Sequence, residues 1–149
     1  MGGVLTTSGN ESLVKKWIEE GWNARNPELI DELFHPEFEV AGRPNRRMGL
    51  EGYKRYVHDL LTAFPDWHFD IRECISEGDF VVITYRVSGT HTGLGYGSHP
   101  PSGNRLETVV IDVWRVIEGK IRERTNAVFE EKDIARQLGF NPVYIPTED

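Results

Sequence analysis

The chain lacks the features that membrane-spanning, secreted and thiol-based proteins need. Its one cysteine, Cys74, has no partner for an intrachain disulfide or a thiolate zinc site, which fits a reducing compartment. No apolar run reaches the roughly 18 residues of a transmembrane helix, and no cationic start leads into an apolar stretch. We therefore expect a cytoplasmic protein with neither a membrane span nor a signal peptide.

Positive charge is also scarce in this chain. There are 17 Lys and Arg against 24 Asp and Glu, which gives a formal net charge of -7. Nucleic-acid binding depends on clustered cations that displace counterions, so we expect no nucleic-acid partner. The one basic cluster, Arg43, Arg46 and Arg47, is short and lies in a loop, which favours a solvated turn.

The composition that remains suffices for one folded domain. The 149 residues are 38% hydrophobic and 11% aromatic, which allows a core of ordinary size. Because no repeat and no second domain is visible, we expect residues 10–149 to form a single domain. Residues 1–9 are expected to be a disordered start.

Three segments in the first half have apolar residues at helical spacing. Asn10 is a favourable N-cap, and apolar positions in residues 13–22 recur every three to four residues. Pro27 gives a second helix its first residue, and that helix is predicted to stop before Pro36. A third helix is predicted over residues 53–64.

The second half changes to a period of two, which is typical of half-buried strands. After a short strand at 38–40, strands are predicted at residues 67–71, 80–88, 106–116 and 121–129, with a closing helix at 132–138. Helices followed by hairpin-linked strands predict an α+β fold, in which a curved antiparallel sheet wraps around three N-terminal helices. The four Trp and five Tyr suit an aromatic internal pocket between the layers, unless these rings only fill the core.

Asp112 is the residue best suited to chemistry. Apolar side chains flank it within residues 109–114, so its strand is predicted to be central and its carboxyl costly to bury unless it is paired or faces a pocket. Desolvation would raise its pKa toward the range of a general acid or base. The alternative is a structural aspartate neutralised by an arginine.

The hairpin turn at residues 118–120 decides which residues of the last two strands face each other. Counting the turn as three residues places Asp112 opposite Asn126 and Trp114 opposite Arg124, on one side of the sheet. Arg124 would then be either an electrophilic clamp for an enolate or the charge partner of Asp112.

Two histidines are candidates for the rim of the pocket. His91 lies in a Gly-Thr-His-Thr-Gly turn and would shuttle protons near neutral pH, or alternatively hydrogen-bond the loop backbone. His99 lies in the following loop and would contact substrate if that loop acts as a lid. The other three histidines have no partners at metal-ligand spacing, so no metal site is expected.

Eight short motifs occur in the order found in one known family. They are residues 20–23 (EGWN), 36–38 (PEF), 63–66 (AFPD), 89–93 (GTHTG), 100–103 (PPSG), 111–115 (IDVWR), 119–121 (GKI) and 136–139 (RQLG). On these motifs the chain resembles the SnoaL-like polyketide cyclases. The resemblance implies an NTF2-like cone, a dimer or higher oligomer, no cofactor, and acid/base chemistry on a polycyclic aromatic polyketide.

The chain departs from this family at positions that matter for catalysis. In the cyclases, the position aligned with Asn126 carries the catalytic Asp, and the one aligned with Asp112 carries a His. Because Asn cannot exchange a proton, either Asp112 has taken the acid/base role while Asn126 holds the substrate carbonyl, or the cyclase activity is absent. Residues 40–41 are Val and Ala where many relatives are polar, which makes the pocket more apolar.

The resulting functional hypothesis is a cofactor-independent cyclase, lyase or isomerase that acts on a hydrophobic, polyketide-like carbonyl compound. Its predicted catalytic residues are Asp112, Asn126, Arg124 and His91. Its predicted substrate-binding residues are Trp22, Tyr53, Phe64, Trp114 and His99. The alternatives are a non-catalytic module that binds a small molecule, and a hydrolase or hydroxylation partner on the same fold.

A homodimer is also expected, because the helices cover only one face of the sheet. The other face carries either the set Val81, Ile83, Tyr85 and Val87 or the residues that alternate with them. An apolar sheet face of this kind needs a cover, and a second copy of the chain would supply it.

Overall fold

A computed structural model describes residues 7–41 and 47–140. The helical segments are α1 (Thr7–Lys16), a π-helical continuation (Trp17–Asn23), a 3₁₀ turn (Pro27–Leu29) leading into α2 (Ile30–Leu33), α3 (Leu50–Ala63) and α4 (Glu131–Leu138). Helix α1 begins three residues before the expected start, so residues 7–9 are helical. In the described part of the chain, none of the helices has the length and apolar character needed to cross a membrane.

The π-helical segment is the widest part of the first helix and depends on a glycine. A Cβ on Gly21 would lie 2.1 Å from Cε3 of Trp17, so the indole ring occupies the space that any other residue would fill. Trp17 is fully buried, and its ring meets Phe34 edge-on at 5.1 Å between centroids. The missing side chain at Gly21 therefore lets a large aromatic ring lie close to the helix axis.

The sheet has six strands in the order β2-β1-β6-β5-β4-β3. The strands are β1 (Phe34–Val40), β2 (Met48–Gly49), β3 (His68–Glu77), β4 (Phe80–Thr90), β5 (Arg105–Ile117) and β6 (Lys120–Val128). The α+β architecture with a curved sheet is confirmed, but the sheet is not wholly antiparallel because β1 pairs in parallel with β6. The sequence pattern missed this pairing, since it joins segments that no hairpin connects.

Buried and partly exposed residues alternate along β4, which shows which face of the sheet each residue lies on. Val81, Ile83, Tyr85 and Val87 point inward and are buried in the core together with side chains of α1 and α3. The residues between them are partly exposed on the outer face. The inner face is therefore the one that the helices cover.

Two of the three arginines of the basic cluster, Arg43 and Arg46, lie outside the described residues. Arg47 pairs with Glu39 on β1, with its Nη2 2.7 Å from Oε1. Both side chains are largely exposed, so the contact contributes little stability.

The loop between β4 and β5 is tied to the end of α3 by its backbone. The amides of Thr92 and Gly93 both donate to the carbonyl of Ala63, at 3.2 and 3.0 Å. A Cβ on Gly93 would lie 1.9 Å from the carbonyl oxygen of Thr62. Glycine is therefore required where the loop crosses the helix end.

We expect Gly93→Ala to destabilise the protein by about 1–3 kcal/mol, because the added methyl group meets helix backbone that cannot rotate away. Leu94→Ala is the matched control, since Leu94 is 67% exposed in the same loop and its truncation should stay within about 0.5 kcal/mol. Urea unfolding followed by tryptophan fluorescence measures both. Equal stabilities for the two variants would contradict the close approach.

Candidate functional site

A cavity of about 200 Å³ lies between the inner face of the sheet and the helices. Aromatic side chains from both layers form most of its wall: Trp22, Tyr53, Tyr56, Phe64, Trp67, Phe69, Tyr85, Tyr96, Trp114 and Phe129. The predicted lining residues Trp22, Tyr53, Phe64 and Trp114 are all among them. Their contact with a substrate stays a prediction.

Three of the wall side chains also face the surface. Tyr56, Leu60 and Tyr96 line both this cavity and a more open cleft of about 370 Å³. Tyr56 belongs to α3, and Tyr96 belongs to the loop that Gly93 anchors to that helix. These side chains therefore separate the cavity from the outside.

Asp112 carries the only carboxyl group in the described wall of the cavity. It points inward from β5 and is 4% exposed, with Oδ2 accepting a hydrogen bond from the Tyr85 hydroxyl on β4. Its Oδ1 is buried and has no hydrogen-bond partner among the described residues. Burial raises the pKa of Asp112, although the charge of Arg124 and the Tyr85 hydrogen bond oppose the increase.

Arg124, on the neighbouring strand β6, is the cation whose charge acts on this carboxyl. Its Nε is buried without a partner among the described residues, and its guanidinium carbon lies 5.9 Å from the centre of the Tyr56 ring. Burial alone would lower the pKa of Arg124, but the charge of Asp112 and the phenols of Tyr56, Tyr53 and Tyr85 together outweigh it, and the net shift is upward. Arg124 makes no ion pair with Asp112 within 4.0 Å, but its charge opposes the rise in the pKa of that carboxyl. The alternative of a structural aspartate neutralised by an arginine stays a prediction.

Tyr85 is the site residue that sequence reasoning missed. The alternation of β4 marks it as one of a set of four that share a face, but it does not reveal that its hydroxyl reaches Asp112. The pairing of Ile83 with Asp112 and of Tyr85 with Val110 brings the two side chains together diagonally. Burial and the nearby Asp112 carboxyl raise the pKa of Tyr85, so this phenol stays protonated and donates.

The predicted position of Asn126 is wrong. The turn holds two residues, Glu118 and Gly119, with Ile117 paired to Lys120, and two bulges then each shift the β5–β6 register by one residue. The predicted pairing of Trp114 with Arg124 holds between the two bulges. Beyond the second bulge Asp112 pairs with Ala127, whereas Asn126 pairs with Val113 on the outer face.

Asn126 is accordingly exposed and does not line the cavity. Its Oδ1 accepts a hydrogen bond from the amide of Ala127 at 2.9 Å. The bulge residue Thr125 donates from its hydroxyl to the carbonyl of Val113 at 3.3 Å, which satisfies backbone that the bulge leaves unpaired. The proposed role of Asn126 in holding a substrate carbonyl has no geometric support.

His91 and His99 also lie outside the cavity wall. His91 is fully buried, stacks on Phe64 at 5.1 Å, and accepts a hydrogen bond at Nδ1 from the amide of Ser102 at 3.2 Å. This is the alternative given for His91, a side chain that hydrogen-bonds the loop backbone. Burial, with a smaller effect of His99, lowers the pKa of His91. His99 is exposed and stacks on Phe140 with 3.7 Å between ring centres.

The described residues contain no group of three or more His, Cys, Asp and Glu placed to hold a metal ion. The polar side chains that line the cavity are the Asp112 carboxyl, the Arg124 guanidinium, the indoles of Trp22, Trp67 and Trp114, the phenols of Tyr53, Tyr56, Tyr85 and Tyr96, and the Thr108 hydroxyl. Such a set can exchange one proton with a bound molecule while N–H donors stabilise negative charge on its oxygen.

A sequence profile of the SnoaL-like polyketide cyclase family matches residues 12–138. No curated protein matches the chain at a significant level. A crystal structure from Jannaschia sp. CCS1, assigned as a SnoaL-like polyketide cyclase, is 21% identical over 95% of this chain and 99% of that chain, with a TM-score of 0.82.

Two further solved structures share the fold. AclR from Streptomyces galilaeus, assigned as a hydroxylase, is 20% identical over 90% of this chain and 98% of that chain, with a TM-score of 0.78. TsrD from Streptomyces laurentii is 24% identical over 91% of this chain and 98% of that chain, also with a TM-score of 0.78. At these identities the likeness establishes the fold, which is the predicted NTF2-like one.

We expect the pKa of Asp112 to lie above its ordinary value of 3.8, because burial outweighs the attraction of Arg124. In Arg124→Met the pKa should rise further, since the opposing charge is gone. Asp66 is the internal control: burial would raise its pKa, but hydrogen bonds from the Thr90 amide and hydroxyl outweigh burial and lower it. An NMR titration of the aspartate carboxyl carbons distinguishes these outcomes, and a value for Asp112 at or below that of Asp66 would contradict the assignment.

The same shift predicts how stability depends on pH. The folded protein holds the Asp112 proton more tightly than the unfolded chain does, so ionisation costs stability as the pH rises from about 3.8 through the folded pKa. Asp112→Asn stays neutral and avoids this cost. The free energy of unfolding of the wild type should therefore fall relative to that of Asp112→Asn across this window, as urea titrations at several pH values would measure.

Proposed function

The chain belongs to the SnoaL-like polyketide cyclase family, and we propose that it is a cofactor-independent acid/base enzyme acting on a hydrophobic carbonyl compound. The reaction is the removal of a proton next to a carbonyl group, followed by ring closure or isomerisation. The observation that carries the proposal is the Asp112 carboxyl, which is buried in an aromatic cavity with one oxygen free of any described partner.

Asp112 is the proposed base of this reaction. Its ionised Oδ1 takes a proton from the carbon next to the substrate carbonyl, and the bonding electrons move to the carbonyl oxygen to form an enolate. The Tyr85 hydroxyl holds the other carboxyl oxygen, which fixes the direction in which Oδ1 points. Protonated Asp112 then returns its proton to the product, to oxygen in an aldol closure or to carbon in an isomerisation, so that the enzyme ends the cycle unchanged.

Arg124 and Trp114 are the proposed stabilisers of the enolate. Both line the cavity beside Asp112, and the Arg124 Nε and Trp114 Nε1 are buried donors without a described acceptor. Fixed donors in a site that excludes water stabilise a developing oxyanion more strongly than solvent does. Arg124 therefore serves as a clamp on the oxygen, and its charge also helps to keep Asp112 ionised.

Asp112→Asn should lower the rate of proton exchange by about 10²–10⁴-fold, because the amide cannot accept a proton. The probe is 1-tetralone, a bicyclic ketone with exchangeable protons next to its carbonyl group. Loss of those protons into D₂O is followed by NMR. Asn126→Ala is the matched control on the neighbouring strand, since its exposed side chain lies outside the cavity and the exchange rate should be unchanged.

Exchange that is equally fast in wild type and Asp112→Asn would refute the acid/base role. If 1-tetralone still bound with the same affinity, the protein would instead be a non-catalytic module that holds a small molecule. A large loss in Asn126→Ala would show that the β5–β6 register differs from the one described.

The outer face of the sheet supports the homodimer expected from the sequence. Five large apolar side chains are exposed there: Ile75 64%, Phe80 45%, Val109 49%, Ile111 38% and Val128 54%. Ile75 pairs with Val82, and Val82 pairs with Val113. Val113 is the neighbour of Ile111 on the same face of β5, and Ile111 pairs with Val128, so these residues connect across β3 to β6. An exposed apolar band on a sheet that is covered on its other face is typical of a surface that a second copy buries.

We expect a dimer in light scattering at micromolar concentration, and a monomer for Ile111→Glu, which places a charge in the middle of the band. Leu94→Glu is the control, because it adds the same charge at an exposed apolar residue in a loop away from this face. A monomeric wild type, a dimer that persists in Ile111→Glu, or a monomer for Leu94→Glu would refute an interface on the outer face.

A further inference from the structure

We propose that the cavity takes a ligand of one or two rings with oxygen acceptors at its two opposite ends, one held by Arg124 and Trp114 and the other by Trp67. The inference concerns the same cavity as the proposed function and depends on that function in no other way. Its basis is the size of the cavity and the count and placement of polar atoms that the protein leaves unpaired.

The volume of the cavity limits the number of rings. An engineered protein cavity of about 150 Å³ binds one benzene ring, and pockets for drug-sized ligands measure about 300–1,000 Å³. At about 200 Å³ this cavity lies between the two. A ligand of one or two fused rings fits, whereas three or four fused rings exceed the space inside the wall.

The unpaired atoms demand acceptors on the ligand. Among the described residues that line the cavity, the buried polar side-chain atoms without a partner are Trp67 Nε1, Trp114 Nε1, Arg124 Nε and Asp112 Oδ1. Three of these are donors and one is an acceptor. Because an unpaired buried polar group is costly, the ligand that best fits the cavity offers several oxygen acceptors and one proton.

These donors lie in two places along the cavity. Trp114 pairs with Arg124 across β5 and β6, next to Asp112. Trp67 packs against Gly89, where a Cβ would lie 2.9 Å from its ring, and Gly89 pairs with Leu106. Leu106 and Trp114 both line the cavity and are eight residues apart on β5, so the Trp67 side chain, which carries the third donor, lies at the other end of the wall.

Four compounds test size and oxygen placement by isothermal titration calorimetry. Tetralin has two rings and no oxygen, 1-tetralone adds one carbonyl, 6-methoxy-1-tetralone adds a second acceptor at the opposite end, and anthrone has three rings. Each new hydrogen bond should tighten binding about two- to tenfold. The expected order is therefore 6-methoxy-1-tetralone, 1-tetralone, tetralin, with anthrone weaker than 1-tetralone.

Trp67→Phe and Trp114→Phe each remove one indole donor and keep an aromatic ring. Trp67→Phe should abolish the advantage of 6-methoxy-1-tetralone over 1-tetralone and leave the affinity for 1-tetralone unchanged. Trp114→Phe should instead reduce the advantage of 1-tetralone over tetralin. If a variant does not fold, the order of wild-type affinities for the four compounds tests the proposal without it.

Binding of tetralin as tight as that of the ketones, anthrone as tight as 1-tetralone, or no measurable binding of any compound would overturn the inference. So would a Trp67→Phe variant that weakens 1-tetralone and its methoxy derivative equally. These outcomes are independent of proton exchange: if Asp112→Asn exchanges protons as fast as the wild type while the ligand order holds, the enzymatic proposal fails and this one stands.

Discussion

A carboxyl group lies inside a cavity walled by aromatic rings, and the free-energy cost of placing it there constrains the residues around it. Burial disfavours the ionised form of Asp112, and the protein opposes this with the charge of Arg124, at a distance, and one hydrogen bond from Tyr85. A direct ion pair would have offset more of the free-energy cost of burial. It would also have occupied the carboxyl oxygens or blocked a ligand from reaching them. The arrangement therefore leaves one oxygen of the carboxyl without a hydrogen-bond partner among the described residues. This lowers stability and is useful only if a ligand binds to that oxygen.

The general fold was predictable from the sequence because helical and strand periods separate cleanly along the chain. Tyr53 and Val57 recur on one side of α3, and the alternation of β4 buries every second residue, as expected from a period of 3.6 and of 2. The parallel pairing of β1 with β6 was not predictable in this way, since it depends on contacts between distant segments. The candidate site was predictable as far as the residues on the predicted inner faces, which includes Asp112, Arg124 and Trp114.

The errors at the site come from register and from loops, where periodicity carries no information. A turn one residue shorter than counted, followed by two bulges, leaves Trp114 opposite Arg124 but moves Asn126 to the outer face. The position of His91 depends on a contact that the sequence pattern does not reveal. Its turn lies beside the buried ring of Phe64, so the imidazole packs into the core and accepts a hydrogen bond from the Ser102 amide of the loop. Tyr85 was missed because a tyrosine between apolar residues on an inner face has the same pattern as a core residue.

The second bulge has a further effect on the chemistry of the cavity. Without the shift, the Asn126 side chain would lie opposite Asp112, where its amide group could donate to Oδ1 and close the free side of the carboxyl. With the shift, Ala127 takes that place and lines the cavity with a single methyl group. Oδ1 therefore stays buried, without a hydrogen-bond partner among the described residues. The bulge therefore decides that a methyl group, and not an amide, lies opposite the Asp112 carboxyl.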